Sequence, residues 1–188
     1  MREHRVITAV LATTVAAAAC FSGSAGAKPS ADQKALTFSG QCQFHGTLRQ
    51  NPPLTNFPAE GQGAADAVGT CDGTLVRSKR KHPKTYTLDD APVVYRARAT
   101  GEMSCGGGTS QGAGTMLFEQ GALDFAFSEV RGPGAAAIEL EGRYGGSAQG
   151  AANVSSSEDP VAIAAACSGP GLSQVEVDIS LVSDGLSG

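Results

Sequence analysis

The sequence predicts an all-β fold: a single antiparallel domain of roughly ten strands, a sandwich or an up-and-down barrel, with one short helix near Asp159 to Ala166. Two observations carry this. Apolar and polar residues alternate with period two in stretch after stretch, which puts successive side chains on opposite faces of a strand. Helix punctuation, by contrast, occurs at one place. Aromatic residues make up only 5% of the chain and tryptophan is absent, so the core has to be built from Val, Leu, Ile, Ala and a few Phe.

Taken from the N-terminus, charged Met1 to Arg5, apolar Val6 to Ala19 and small, polar Phe21 to Ala27 have the layout of an export signal over residues 1–27. Ala25-Gly26-Ala27 offers the small residues that signal peptidase reads, with cleavage before Lys28. The alternative uses Ala17-Ala18-Ala19-Cys20 as a lipoprotein signal, leaving the chain lipid-anchored at Cys20 on the outer face of the cell membrane. Residues 28–34 are expected to be a flexible segment, 35–183 the β domain and 184–188 a C-terminal tail. No later segment has the length and apolarity of a transmembrane helix.

Within the domain, Cys42, Phe44, Gly46 and Leu48 share one face of the first strand, and Gln43, His45, Thr47 and Arg49 the other. Gly61 to Thr74 and Gly145 to Ser155 read as weaker strands, whose small inner residues let backbones approach closely. Asp89-Asp90 before Ala91-Pro92 reads as a turn into the next strand. That strand sets Val93, Tyr95, Ala97, Ala99, Gly101, Met103 and Cys105 against Arg96, Arg98, Thr100, Glu102 and Ser104. Thr109 to Phe118, then Leu123, Phe125 and Phe127, then Ile138 and Leu140 between Glu139 and Glu141, continue the pattern. Asp159 is the N-cap of the helix, Pro160 its first residue, and Gly169 lies beyond its end. Val175, Val177, Ile179 and Leu181 alternate with Gln174, Glu176, Asp178 and Ser180 in the last strand. The outward faces carry Arg, Glu and Asp where lipid would require apolar side chains, which argues against a membrane barrel.

Cys42, Cys71, Cys105 and Cys167 remain after either processing route. An even set in an exported chain predicts two disulfides, each contributing about 2–4 kcal/mol. The strands holding Cys42 and Cys71 face each other if they form a hairpin around the Pro52 to Ala59 loop. The expected pairing is therefore Cys42 with Cys71 and Cys105 with Cys167, both buried.

Gly108-Thr109-Ser110-Gln111-Gly112 fits the G-x-S-x-G pattern of a hydrolase nucleophile, but that motif needs a sharp turn followed by a helix. Here alternation runs straight through the serine, so it reads as part of a strand. His45 lies on an outward face and His82 among cations, so neither is placed as its base. The histidines and cysteines lack the spacing of a metal site, and no cofactor is expected. Asn153-Val154-Ser155 fits a glycosylation sequon, to which no role is given in a chain of bacterial character.

The run from Arg77 to Lys84 stands out in a chain of net charge −4. Arg77, Lys79, Arg80, Lys81 and Lys84 form an anion-binding candidate on an exposed hairpin connection, since Pro83 disfavours helix or central strand there. Its partners would be anionic cell-exterior polymers or another exported protein. Without interleaved aromatics the run offers no stacking platform for specific nucleic-acid binding. The sequence names neither a ligand nor an oligomeric state. The expected function is that of an exported, non-catalytic β-sheet binding or surface protein of a bacterial exterior. The alternatives are a carrier of a small apolar ligand in a lipocalin-like barrel, and an enzyme whose residues the spacing does not reveal.

Overall fold

Each strand carries one dry face, and the chain covers all of those faces at once by rolling a single sheet into a closed barrel. A computed structural model describes residues 35–78 and 82–188. Its elements in chain order are β1 (Leu36–Leu54), β2 (Ala59–Arg77), β3 (Lys84–Ser104), β4 (Gly107–Phe118), β5 (Gly121–Gly132), β6 (Ala135–Gly142), β7 (Ser147–Val154), α1 (Pro160–Ser168) and β8 (Leu172–Ser187). Every strand pairs antiparallel with its neighbours in sequence, and β8 closes on β1. Closure leaves no sheet edge unpaired, the property that separates a barrel from a sandwich. Eight strands replace the roughly ten expected from sequence, because β1, β2 and β3 run to 19, 19 and 21 residues.

Two strands, β3 and β8, hide irregularities that read as breaks. Asp89 and Asp90 are not a turn between strands but lie inside β3, where the register against β2 shifts between Cys71 and Gly73. Asp90 takes φ 47° there, and its N–H donates to Asp72 Oδ1 at 2.8 Å. Likewise residues 184–187 are not a tail but the end of β8. Ser183 Oγ accepts from the Gly185 and Leu186 N–H groups at 3.1 and 2.8 Å, folding two residues out of the ladder before Leu186 rejoins it opposite Phe38. The Gly188 N–H and C=O both bond Leu36 at 2.9 Å.

The interior is graded from large side chains to small. At the end where β1 begins and β8 finishes, Leu36, Phe38, Leu75, Met116, Leu123 and Leu186 are fully buried. Phe38 and Phe118 pack with centroids 5.7 Å apart. Half-way along, Phe44, Tyr95, Phe125 and Phe127 form a chain of ring contacts at 5.3, 5.6 and 6.3 Å. Gly114 makes that shelf possible. A Cβ there would lie 2.5 Å from Phe125 Cζ, so the small residue makes room for a neighbour's ring as well as for close strand approach. Beyond the shelf several inward positions are small, at Gly63, Ala65, Ala97, Ala99, Gly112 and Ala152, beside larger residues such as Leu48, Met103 and Val177, and two hollows are left there.

Both disulfides pair as expected. Cys42 and Cys71 are directly opposite on β1 and β2, inside the barrel, with Cα atoms 4.1 Å apart. Cys105, in the β3–β4 turn, is bonded to Cys167 in the last turn of α1. Such bonds form and persist in an oxidising compartment. The helix is capped as read from sequence: Asp159 Oδ1 accepts from the Val161 N–H at 2.9 Å, and Pro160 opens the first turn. The β1–β2 loop is tied to the same corner, since the Asn56 N–H donates to Cys167 O at 3.2 Å and the Cys105 N–H to Thr55 O at 2.8 Å. Among the described residues no helix is long and apolar enough to cross a membrane.

Candidate ligand site in the barrel

On β5 the inward register Leu123, Phe125, Phe127 continues without interruption to Glu129 and Arg131. A strand cannot turn two residues outward while keeping its pairing, so both charged side chains are carried into the barrel. Only 8% of the Glu129 side chain and 9% of the Arg131 side chain are exposed. Such burial is costly for a lone ion, and here the two neutralise each other: Arg131 Nη2 donates to Glu129 Oε2 at 2.8 Å. The same oxygen accepts from Ser110 Oγ at 2.8 Å, Ser110 being the residue opposite Glu129 on β4.

Tyr95 lies on the shelf below. Burial first, and the Glu129 carboxylate second, hold its phenol well above the ordinary range, so it stays protonated throughout physiological pH. At this end of the barrel Arg131 Nε and both amide atoms of Gln50 are buried without a hydrogen-bond partner among the described residues. Gln50 lies across Gly63, where a Cβ would stand 3.3 Å from each of those atoms.

Glu129 and Arg131 border two hollows that share part of their lining. One, of about 110 Å³, lies between the barrel wall and the α1 corner, walled by Leu54, Ile163, Leu172 and Val175 and by the Cys105 to Cys167 bridge. The other, of about 40 Å³, lies over the shelf, walled by Tyr95, Phe127, Ile138 and Ile179. Leu48, Glu129, Arg131, Ala152 and Val177 line both. The surroundings are largely apolar, with the neutralised ion pair and, in the larger hollow, Ser104 and Asn153 as the polar side chains.

Apart from Ser110 and the Cys105 to Cys167 bridge, the residues singled out from sequence lie elsewhere. Arg77 ends β2 and Lys84 opens β3, opposite one another at the far end of the barrel; Lys79, Arg80 and Lys81 lie outside the described residues. Arg77 is half-buried with Nε unpartnered among the described residues, and Lys84 Nζ sits 4.7 Å from the Tyr86 ring centroid. His45 is exposed on the outer face, its Nδ1 2.8 Å from Asp178 Oδ1 and its Nε2 3.8 Å from Glu176 Oε2. The Asp178 hydrogen bond raises the His45 pKa, and the same bond lowers that of Asp178. Ser110 is within a strand as read, but it is buried and turned toward Glu129 rather than idle. No group of three His, Cys, Asp or Glu among the described residues is arranged to hold a metal.

Glu129 and Arg131 were missed, though the continuing alternation after Phe127 was the signal for them. No protein-family model matches this sequence, no curated protein matches it, and no solved structure matches the fold.

Proposed function

We propose that this chain is an exported, non-catalytic binding protein that carries a small molecule in the helix-covered half of its barrel. The observation that supports this is a pair of hollows, walled by aliphatic residues and by Gly and Ala, left in that half of the barrel. A barrel selected only for stability would fill that space, because close packing gains dispersion energy and voids forfeit it. The hollows total less than the roughly 300–1,000 Å³ of sites for drug-sized ligands. A fatty acid or a porphyrin therefore does not fit. A cavity near 150 Å³ does admit benzene.

Catalysis is less well supported. Ser110 has a carboxylate partner whose charge is already committed to Arg131, and no histidine among the described residues is hydrogen-bonded to it. Export fits the two disulfides and the leader-like composition of residues 1–27. The test is benzene at its aqueous saturation: the carrier reading expects a rise in the unfolding midpoint and chemical-shift changes at the methyls of Ala152 and Val177. If neither moves, the hollow is not a ligand site.

A further inference from the structure

We infer that the outer wall of the barrel carries a second site, an open groove across β1 to β4 that takes an extended glycan bearing carboxylate groups. Arg98 receives a carboxylate, and a row of amide side chains receives the hydroxyls. The site lies outside the barrel and is independent of what the hollows carry.

The groove follows from two adjacent rows of outward side chains. Cross-strand pairing sets Asn51, Gln62, Thr100 and Gln111 side by side on β1, β2, β3 and β4. Neighbouring strands lie about 4.8 Å apart, so this row spans about 14 Å. All four side chains are exposed, and none is spent on a hydrogen bond to another described residue. The next row along the strands reads Arg49, Ala64, Arg98 and Ala113. The alanines add only a methyl group on either side of Arg98. Arg49, Ala64 and Arg98 together with the amide row line an open groove of about 890 Å³.

Charge selects the sign of the ligand. Asp66 lies 3.0 Å from Arg49 and 3.8 Å from Arg96, so one carboxylate answers two guanidiniums. Arg98 has an alanine as its partner on each neighbouring strand and no ion pair among the described residues. Three arginines against one aspartate make this stretch of wall cationic in a chain of net charge −4. Among the described residues no acid lines the groove, since Glu60 and Glu102 pair in the row beyond it.

The groove's chemistry selects a sugar over other anions. A guanidinium fork matches a carboxylate, and an amide, both donor and acceptor, matches neighbouring hydroxyls. An extended peptide would need a free sheet edge to pair its main chain, and a closed barrel has none. No aromatic side chain lines the groove for bases to stack on.

The test titrates the intact protein with tetragalacturonate, with the methyl ester of the same oligomer, and with tetraglutamate. Tetragalacturonate is expected to bind most tightly, about fivefold over its ester, the upper scale of one exposed charge pair. It should shift the Gln62 and Gln111 side-chain amides and the Arg98 Nε–H in a ¹H–¹⁵N spectrum. Arg98→Gln should bring acid and ester level, while Gln62→Ala/Gln111→Ala should weaken both oligomers alike. These residues are exposed, so both variants should keep the native unfolding midpoint, which separates lost binding from lost fold. Equal binding of acid and ester by the native protein would overturn the role of Arg98. Tetraglutamate binding as tightly, with the same shifts, would overturn the glycan in favour of an acidic peptide. Shifts confined to Arg77 and Lys84 would move the anion site to the β2–β3 connection. If none of the three binds, the groove is not a site, and the carrier reading stands or falls on benzene alone.

Discussion

Ser110 and Glu129 face each other across β4 and β5, and the serine hydroxyl donates to the carboxylate at 2.8 Å inside the barrel. The contact turns a motif with the outline of a hydrolase nucleophile into a structural element. Ser110→Ala should cost about 1.5–3 kcal/mol in denaturant unfolding, the scale of a hydrogen bond to a charged group. A fluorophosphonate probe should leave the native serine unlabelled. Stoichiometric labelling would mean that a nucleophile is present after all.

The ion pair itself gives a sharper contrast. Glu129→Ala or Arg131→Ala leaves one buried charge alone and should destabilise by about 3–5 kcal/mol. Glu129→Leu/Arg131→Met removes both and should unfold close to the native midpoint or above it. Chemical denaturation of the four proteins decides the matter. Equal losses in the single and double variants would show that the pair contributes net stability rather than compensating for its own burial.

How far the sequence revealed this arrangement depended on how regular each strand is. β8 from Val175 to Leu181 and β3 from Val93 to Met103 alternate without a flaw, and both lie where alternation puts them. The helix was legible because its cap is local, a single aspartate followed by proline. The cysteine pairing was legible because one hairpin brings Cys42 and Cys71 face to face. Asp90 and Ser183 were read as ends because a bulge breaks the period without ending the strand. Glu129 and Arg131 were passed over for a different reason: charge normally marks the wet face, and only their mutual neutralisation permits them on the dry one.

On the outer face, His45 should titrate above its ordinary value near 6.5, because the Asp178 hydrogen bond favours the protonated ring. A raised folded-state pKa means its contribution to stability is complete below the unfolded value and is lost as pH rises through the folded one. Asp178, lowered by the same bond, adds a contribution that is lost as pH falls through its own folded pKa. An NMR titration of the His45 ring checks this. Asp178→Asn should bring its midpoint down toward the ordinary value, and an unchanged midpoint would show that the pair is not formed in solution.

The two disulfides should differ in what they protect. Cys42 to Cys71 sits within the barrel wall, and Cys42→Ala/Cys71→Ala should lower global stability by about 2–4 kcal/mol. Cys105 to Cys167 ties α1 to the β3–β4 turn over the larger hollow, so Cys105→Ser/Cys167→Ser should also speed local opening there. Hydrogen exchange separates the two. Amides of Val161 to Cys167 should lose protection in the second variant well before those of β3 and β8, and uniform loss across the barrel would mean the helix is not an independent cover.

Ala152 lines both hollows, which lets one substitution set the barrel against the basic run as the place of function. Ala152→Met places a flexible apolar side chain into space that is already empty. Filling a void without displacing neighbours leaves stability level or raises it by about 0.5–2 kcal/mol. Binding of benzene should fall by at least about tenfold, because a cavity near this size has no room for both. The companion variant replaces by serine Lys79, Arg80 and Lys81, which lie in sequence between Arg77 and Lys84. Those cations, if they dock polyanions, do so through screened contacts that weaken over roughly 8 Å at physiological ionic strength. Its binding of benzene should match the native protein's, while its retention on anionic vesicles should fall at low salt and converge with the native chain at high salt. The expected pattern is that each variant disturbs one assay alone. Loss of benzene binding in the serine variant, with Ala152→Met unaffected, would move the ligand site out of the barrel.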